Sequence, residues 1–164
     1  MSAVLKDAEI FIRPMNEEDF EDIMQIEKRA YEFPWTETIF QDCLRVGYCC
    51  WVLERDHMIA AYGVMSVAVG ESHILNLCVD PDLQSIGLGK MLLSRLLEVA
   101  QDHNANMTFL EVRPSNFAAI KLYLEAGFDE IGMRRNYYPA RMGREDALIL
   151  ARTVVRDEED FFNE

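Results

Sequence analysis

The sequence lacks the features that would place it in or across a membrane. Its 164 residues contain no apolar run approaching the roughly 20 residues that span a bilayer, and no basic segment followed by an apolar run opens the chain. We therefore expect a cytoplasmic protein that makes no membrane contact. Cysteine is also scarce, and the absence of a CxxC pair favours reduced core side chains over a disulfide or a metal site. The four residues are Cys43, Cys49, Cys50 and Cys78.

The sequence also contains few histidines and fewer basic than acidic residues. His57, His73 and His103 do not have the spacing of metal ligands, so we interpret them as turn or surface residues and expect no metal. The 16 basic residues stand against 29 acidic ones, which gives a formal charge of −13. This balance argues against direct binding to nucleic acid and suits a cationic partner. An acidic surface that serves solubility alone is the alternative.

The apolar pattern predicts a strand, two helices, three strands, a helix, a strand, a helix and two final strands. The predicted strands cover 8–13, 49–54, 59–69, 72–79, 107–112, 128–134 and 147–155. The first predicted helix runs from Asn16 to Tyr31, and the second begins at Thr36. The third ends near His103, and the fourth begins at Ser115 or Asn116. No repeat or linker interrupts this order, so we expect one mixed α/β (α+β) domain over residues 1–155. The acidic run 157–160 predicts a solvated tail over 156–164.

The loop 80–90 joins a predicted strand to a predicted helix and carries glycines where the helix begins. Without Cβ atoms, Gly87 and Gly89 would let a ligand approach the backbone, and the amides of a first helical turn form a site for anions. Lys90 adds a positive charge. A tight turn without any ligand explains the same glycines. The spacing matches neither the dinucleotide-binding fingerprint nor the P-loop.

The segment Gln84-x-x-Gly87-x-Gly89 resembles the phosphate-binding signature of the GNAT acetyltransferases. The order of elements around it is similar to the family over almost the whole chain. The resemblance implies the GNAT acyl-CoA N-acyltransferase fold, a mixed central sheet flanked by about four helices. It also implies acetyl-CoA as cosubstrate. The implied cofactor-binding residues are Leu77, Cys78, Val79, Ser85, Ile86, Gly87, Leu88, Gly89, Lys90 and Asn116.

Further segments resemble the RimI enzymes within that family. They include Phe33-Pro34-Trp35-Thr36, Leu110-Glu111-Val112-Arg113, Ser115-Asn116 and Arg134-Arg135-Asn136-Tyr137-Tyr138-Pro139. RimI enzymes acetylate the N-terminal alanine of the eighteenth protein of the small ribosomal subunit. The resemblance thus implies the basic N-terminal tail of a small-subunit ribosomal protein as partner. Its expected substrate-binding walls are the aromatic residues Phe33, Trp35, Tyr137 and Tyr138.

Two residues are candidates for acid and base catalysis. Attack on a thioester requires a neutral amine, and the departing thiolate requires a proton. The resemblance implies Glu111 as general base and Tyr123 as general acid. A strand-end glutamate paired with Arg113 or Arg135, and a tyrosine that only packs in the core, are the structural alternatives. Asn116 would contact the cofactor, or would only cap its helix.

Other functions remain open at this point. A GNAT enzyme acting on a small amine, such as a polyamine or an aminoglycoside, would share the cofactor loop. A non-catalytic acyl-CoA sensor or interaction module would keep the loop but would need neither Glu111 nor Tyr123. A covalent acetyl-cysteine on Cys78 is disfavoured, because a strand cysteine is usually a small core residue and no histidine lies near it in the sequence.

Overall fold

The computed structural model describes residues 8–153. Its strands are β1 (Ile10–Pro14), β2 (Cys49–Arg55), β3 (Met58–Ala68), β4 (Glu71–Val79), β5 (Met107–Val112), β6 (Asp129–Pro139) and β7 (Arg144–Thr153). The helices are α1 (Phe20–Ala30), α2 (Glu37–Arg45), α3 (Leu88–Asp102) and α4 (Phe117–Glu125), with single 3-10 turns at Glu17–Asp19 and Pro81–Leu83. The predicted α/β fold and its order of elements are confirmed. The predicted acidic tail lies outside the described residues.

All seven strands belong to one sheet, in the order β1-β2-β3-β4-β5-β7-β6. Every neighbouring pair is antiparallel except β4 and β5, which run parallel. The sheet is therefore mixed, as expected. Among residues 8–153, no helix is both long and apolar enough to span a bilayer.

The helices begin where the side chains predict. Asn16 accepts a hydrogen bond from the Glu18 amide (2.9 Å) ahead of α1, and Thr36 accepts one from the Ile39 amide (3.4 Å) at α2. Asn116 caps α4 by accepting from the Ala119 amide (3.2 Å), which decides between the two predicted cap residues. Gly127 follows α4 at φ +94°, the left-handed conformation that favours glycine after a helix.

Two apolar layers cover the two faces of the sheet. Tyr62 and Val64 of β3 point into the layer formed with α1 and α2. Between them, Gly63 faces α3, and a Cβ at this position would lie only 2.9 Å from Leu96 Cδ1. The strand therefore packs α3 against its backbone, which requires glycine. Helices α3 and α4 pack with β4 and β5 in the second layer.

The parallel strands β4 and β5 separate along their length. Their pairing covers only Glu71 to Ile74 opposite Met107 to Leu110. Beyond Ile74, the register of β4 against β3 shifts by one residue, which leaves Leu75 in a bulge. The remainder of β4 thus has a free edge on the β5 side, in the middle of the sheet. A gap of this kind exposes main-chain groups to a ligand.

The final hairpin differs from the prediction. The observed β6 continues to Pro139 rather than ending at Arg134, and its register against β7 is irregular between Arg134 and Tyr138. The strand β7 begins at Arg144, before the predicted start at Ala147. The irregular pairing breaks the alternation of side chains, so periodicity alone stopped the strand too early.

Candidate active site

The glycine loop presents the first turn of α3 as an anion site. The helix makes its first hydrogen bond from the Met91 amide to the Gly87 carbonyl (3.2 Å), so the amides of Leu88, Gly89 and Lys90 precede any intrahelical acceptor. Ser85 and Gly87 both have positive φ, at 65° and 95°. This conformation turns the chain from β4 into the helix. The free amides and the positive end of the helix fit a bound pyrophosphate.

The glycines of the loop have different roles. Gly87 has φ +95° and supplies a left-handed turn, which fits the alternative of a tight turn and leaves the expected approach of a ligand a prediction. Gly89 is helical, and a Cβ there would lie 3.4 Å from Leu122 Cδ2 and 3.5 Å from Val79 Cγ2. These are ordinary van der Waals distances, so a small side chain would fit at this position and packing alone does not require glycine. The expectation that Gly89 lets a ligand approach the backbone stays a prediction.

Side-chain hydrogen bonds and an ion pair hold the β4 end of the loop in place. Gln84 donates from Nε2 to the Val79 carbonyl (3.3 Å), which ties the loop to the end of β4. Asp80 accepts from the Asp82 amide (2.9 Å) and pairs with Arg29 of α1 (2.9 Å). The loop is thus fixed to β4 and α1 independently of any ligand.

We expect a proline at position 90 to weaken coenzyme A binding more than an alanine does. Lys90→Ala removes an exposed charge, worth a few-fold in affinity at most. Lys90→Pro also removes a main-chain donor at a position where the helix makes no use of it. Loss of a charge-assisted hydrogen bond should raise Kd by a further 10- to 100-fold, roughly. Calorimetric titration with coenzyme A measures both, and equal Kd values for the two variants would contradict the amide site.

The open edge of β4 carries the three predicted strand contacts, Leu77, Cys78 and Val79. The Tyr31 hydroxyl lies 3.3 Å from the Leu77 carbonyl and 3.3 Å from Asn76 Oδ1, so α1 reaches this edge. Cys78 is buried, and burial raises the pKa of its thiol to about 11. The thiol is therefore protonated at neutral pH, which opposes a covalent acetyl-cysteine.

Glu111 lies at the mouth of the gap between β4 and β5. It follows Leu110, the last residue of β5 that pairs with β4, and its side chain is 8% exposed. One carboxylate oxygen contacts His73 Nε2 and the other accepts from Arg134 Nε (3.2 Å). The His73 hydrogen bond lowers the pKa of Glu111, burial opposes this shift, and Arg134 adds to it. The carboxylate is thus held ionised and oriented.

This environment corrects two interpretations of the sequence. Glu111 pairs with neither Arg113 nor Arg135, since its partners among the described residues are His73 and Arg134. His73 is not in a turn, because it lies within β4, where its partly exposed side chain contacts the candidate base. His57 and His103 do occupy a turn and a helix end, as expected.

Tyr123 of α4 belongs to the core on the opposite face of the sheet from Glu111. Its ring packs edge-on against Phe128 at 5.5 Å. Burial raises the pKa of its phenol above the ordinary value, with smaller effects from Tyr138 and Cys78. Tyr123 is 6% exposed, and its hydroxyl makes no hydrogen bond to any described residue. The raised pKa keeps the phenol protonated at neutral pH.

The Arg113 side chain contacts two of the aromatic residues that are expected to line the substrate site. Its guanidinium lies over the Tyr138 ring at 4.4 Å and over the Phe33 ring at 5.7 Å. Tyr137 packs edge-on against Tyr138, with ring centroids 4.8 Å apart. Arg113 also donates to the Pro139 carbonyl (2.9 Å) and pairs with a carboxylate of β7 (3.2 Å). Two residues after Glu111, this arginine thus joins the α1–α2 connection to β6.

Trp35 and Asn116 depart from this arrangement. The Trp35 ring packs against Phe40 at 5.2 Å, at the edge of the apolar layer beneath α1 and α2. Within residues 8–153 it makes no ring contact with the other three walls. Asn116 uses its side-chain oxygen as a helix cap, so only its amide group is left to donate to a ligand.

A buried carboxyl group anchors the segment that carries Phe33 and Trp35. Glu27 of α1 is 1% exposed and accepts hydrogen bonds from Tyr62 Oη (2.7 Å), Asn76 Nδ2 (3.0 Å) and the Trp35 amide (2.9 Å). The network joins α1, β3, β4 and the α1–α2 connection. It fixes the connection relative to the open edge of β4.

We expect Glu27→Ala to destabilise the protein and loosen the substrate walls. The substitution leaves buried donors without an acceptor, at about 1–3 kcal/mol each, so a loss of about 3 kcal/mol or more is expected. In the surviving folded fraction, KM for an amine substrate should rise more than KM for acetyl-CoA. Urea denaturation and steady-state kinetics measure the two effects. Lys28→Ala, an exposed neighbour on the same helix, should change neither; a similar result for Glu27→Ala would contradict the anchor.

Five residues of the site were not predicted: Glu27, Tyr31, His73, Arg113 and Arg134. Glu27 had a signal, because it falls within the apolar stripe of α1 beside Ile23 and Ala30, where an acidic residue needs a buried partner. No signal in the sequence marked His73, because only the register of β4 against β5 brings it next to Glu111. Among residues 8–153, no group of three His, Cys, Asp or Glu side chains is placed to hold a metal ion.

Comparisons with known proteins agree with this geometry. The profile of the acetyltransferase (GNAT) family matches residues 18–128. A curated relative from Salmonella typhimurium, the [ribosomal protein bS18]-alanine N-acetyltransferase, is 44% identical over 127 residues, which are 77% of this chain and 86% of that protein. Enzymes of the GNAT family take acetyl-CoA as acetyl donor.

Solved structures give the same result. The crystal structure of the ribosomal-protein-S18-alanine N-acetyltransferase from Escherichia coli superposes with a TM-score of 0.84 at 38% identity, covering 93% of this chain and 98% of that one. A Salmonella typhimurium protein solved with its cofactor acetyl-CoA has a TM-score of 0.76 at 18% identity, over 91% and 96% of the two chains, and shows the shared fold. The chain therefore belongs to the GNAT family of acetyltransferases and, within it, to the RimI-type N-acetyltransferases.

Proposed function

We propose that this enzyme transfers the acetyl group of acetyl-CoA to the α-amino group of an N-terminal alanine in a small-subunit ribosomal protein, the eighteenth. The relatives named for that activity support the substrate. The observation that carries the proposal is the aromatic cluster around Arg113, which stands two residues beyond Glu111 at the mouth of the gap. An extended substrate peptide that lies on this aromatic cluster would have its N-terminus next to the Glu111 carboxylate.

The cofactor would lie between the glycine loop and the open edge of β4. The amides of Leu88, Gly89 and Lys90 are suited to the pyrophosphate, together with the turn through Ser85, Ile86 and Gly87. Main-chain groups of Leu77, Cys78 and Val79 are suited to the pantetheine and acetyl portion, and the Asn116 amide can donate nearby. Acetyl-CoA supplies an activated thioester carbonyl for attack by the amine. The single domain over residues 1–155 would form the whole site.

Glu111 and Tyr123 would divide the proton transfers. The α-ammonium group, with a reference pKa of about 7.7–8.0, gives up one proton before its lone pair attacks the carbonyl carbon. Glu111 lies where that proton leaves. The carbon–sulfur bond then breaks, and Tyr123 donates a proton to the leaving sulfur while the second amine proton restores the phenol. Tyr138 lies within electrostatic range of both Glu111 and Tyr123.

Charge would help to bring a basic tail to the site. The chain carries −13, and Glu17, Glu18, Glu21 and Asp22 lie exposed at the start of α1. Glu32, beside Phe33, is paired with Arg141 at 2.8 Å, so part of its charge is already balanced. The acidic run 157–160 lies outside the described residues. A ribosomal substrate places the reaction in the cytoplasm.

A peptide comparison tests the proposal. We expect an alanine-starting, arginine-containing peptide to be acetylated with a kcat/KM well above that of the same peptide with a blocked terminus and internal lysines. Rising salt should lower this kcat/KM, because screening shortens to about 3 Å at 1 M ionic strength. Replacing the arginines with glutamine should produce a similar decrease and remove most of the salt dependence.

Two outcomes would reject the substrate. Faster acetylation of a polyamine or an aminoglycoside than of the alanine peptide would assign the enzyme to small amines instead. Faster acetylation of the blocked, lysine-containing peptide would assign it to lysine side chains. Both alternative activities also require coenzyme A binding at the glycine loop. Titration of the same preparation with coenzyme A therefore confirms that the enzyme is intact.

A further inference from the structure

An open cleft lies behind the candidate base, on the sheet face that carries α1 and α2. Its volume is about 360 Å³, and its ionisable lining residues are Glu71, His73, Glu111 and Arg134. Glu111 therefore faces two spaces: the gap where the amine would react, and this cleft. His73 is 34% exposed, against 8% for Glu111, so the histidine stands nearer to solvent.

The strand register sets the order of these groups. His73 of β4 pairs with Phe109 of β5, and Glu111 is the next residue of β5 on the same face. Glu111 lies just past the last paired position, at the gap, whereas His73 lies within the paired region. The carboxylate thus stands between the gap and the imidazole, and His73 Nε2 contacts its Oε2.

The reaction releases one proton that must reach solvent. An ammonium substrate and a thioester yield an amide, a thiol and one free proton, because the second amine proton ends on the sulfur. Glu111 alone is a poor final acceptor, since its contacts with His73 and Arg134 lower its pKa, which is already below that of an α-ammonium group. A histidine side chain has two ring nitrogens, so it can accept a proton at one and release a proton from the other.

We propose that His73 positions Glu111 and relays the amine's proton, taking it from the carboxylate and releasing it into the cleft. The proposal rests on the proposed acid and base roles and deepens them. One N–H bond of the ammonium breaks, and its electron pair remains on nitrogen for attack. The proton passes over Glu111 to Nε2 of a neutral imidazole that carries its own hydrogen on Nδ1. Return of that proton to water resets the pair. No further reactant is required.

The surroundings of the pair contain few other groups that titrate. β3 and β7 line the cleft with Ser66, Ala68 and Ile149, which do not ionise. β4 contributes Glu71, β6 contributes Arg134, and Tyr138 of β6 lies within electrostatic range of Glu111. Tyr138 stays protonated at neutral pH, because burial raises the pKa of its phenol.

The test compares His73→Gln, His73→Ala and the control His57→Gln, an exposed histidine in the β2–β3 turn. Glutamine keeps a donor to Glu111 but cannot carry a proton. We expect His73→Gln to lower kcat by about 10- to 100-fold at pH 7, with both KM values within about twofold of wild type. The loss should shrink as the pH rises through the amine's own pKa of about 7.7–8.0. Added imidazole should restore turnover of His73→Ala in a concentration-dependent manner.

Several results would overturn the relay. Wild-type kcat and pH profile in His73→Gln would do so, as would full activity in His73→Gln beside an inactive His73→Ala that imidazole does not rescue, which is the pattern of a purely structural role. Coenzyme A titration verifies that each variant is folded. If the wild-type enzyme does not acetylate the alanine peptide but acetylates another amine, the proposed substrate fails, and the same variants test the relay on that amine.

Discussion

Glu111→Gln is expected to lower kcat by about 10²- to 10⁴-fold while coenzyme A affinity stays nearly unchanged. Glutamine keeps the shape of the side chain and can still accept from Arg134, but it cannot take a proton from the amine. Because the carboxylate pKa is lowered by His73 and Arg134, the wild-type group is ionised throughout the neutral range. The acid limb of the wild-type pH profile should therefore reflect the amine and its proton exit, not Glu111.

The variant should recover part of its activity at high pH. Above the amine pKa of about 7.7–8.0, most of the substrate is already neutral and needs less help from a base. Stopped assays across this pH range measure the effect. Glu71→Gln, which changes an exposed carboxylate of the same cleft, serves as the matched control and should behave as wild type. Near wild-type turnover in Glu111→Gln would remove the residue from the reaction.

Tyr123→Phe is expected to lower kcat by about 10²- to 10⁴-fold with little change in stability. The hydroxyl makes no hydrogen bond to any described residue, and the ring contact with Phe128 is kept in the variant. Packing of the ring and the proposed proton donation are therefore separable by a single oxygen atom. Tyr123→Ala would remove both and is expected to destabilise the core by about 3–5 kcal/mol.

A pre-steady-state experiment identifies the affected step. With the phenol removed, departure of the thiol should become slower than attack, so a leaving group that needs no proton should be affected less. The control Tyr48→Phe changes an exposed tyrosine and should leave kcat unchanged. A Tyr123→Phe variant that matches it would show that Tyr123 only packs in the core, which was the structural alternative.

Much of the fold could be predicted because its signals are local. Asn16 and Thr36 mark helix starts by the hydrogen bonds their own side chains make, and Gly127 ends α4 through its own backbone conformation. The glycine loop was found for the same reason. The end of β6 was missed because the pairing shift between Arg134 and Tyr138 depends on β7, which no local pattern encodes.

Residues of the candidate site could be proposed from the sequence only where a single segment contains the motif. Glu111, Tyr123 and Phe33 were proposed as site residues from segments that resemble the RimI enzymes, whereas the side chains that contact Glu111 and Phe33 come from distant segments. His73 meets Glu111 through the parallel register of β4 and β5, and Arg113 joins Phe33 to Tyr138 across three elements. Such contacts depend on tertiary packing, so they cannot be predicted from composition and residue spacing. Trp35 shows the converse, since an aromatic residue of the expected motif is partly buried against Phe40 and makes no ring contact with the other expected wall residues among residues 8–153.

Locating the acetyl group on the product tests the central claim most directly. The enzyme is incubated with acetyl-CoA and an alanine-starting basic peptide that also contains internal lysines, and tandem mass spectrometry assigns the modified nitrogen. The account predicts a single acetyl group on the α-nitrogen of the first residue, with the lysines unmodified. Acetylation of the lysines with a free α-amine would contradict it.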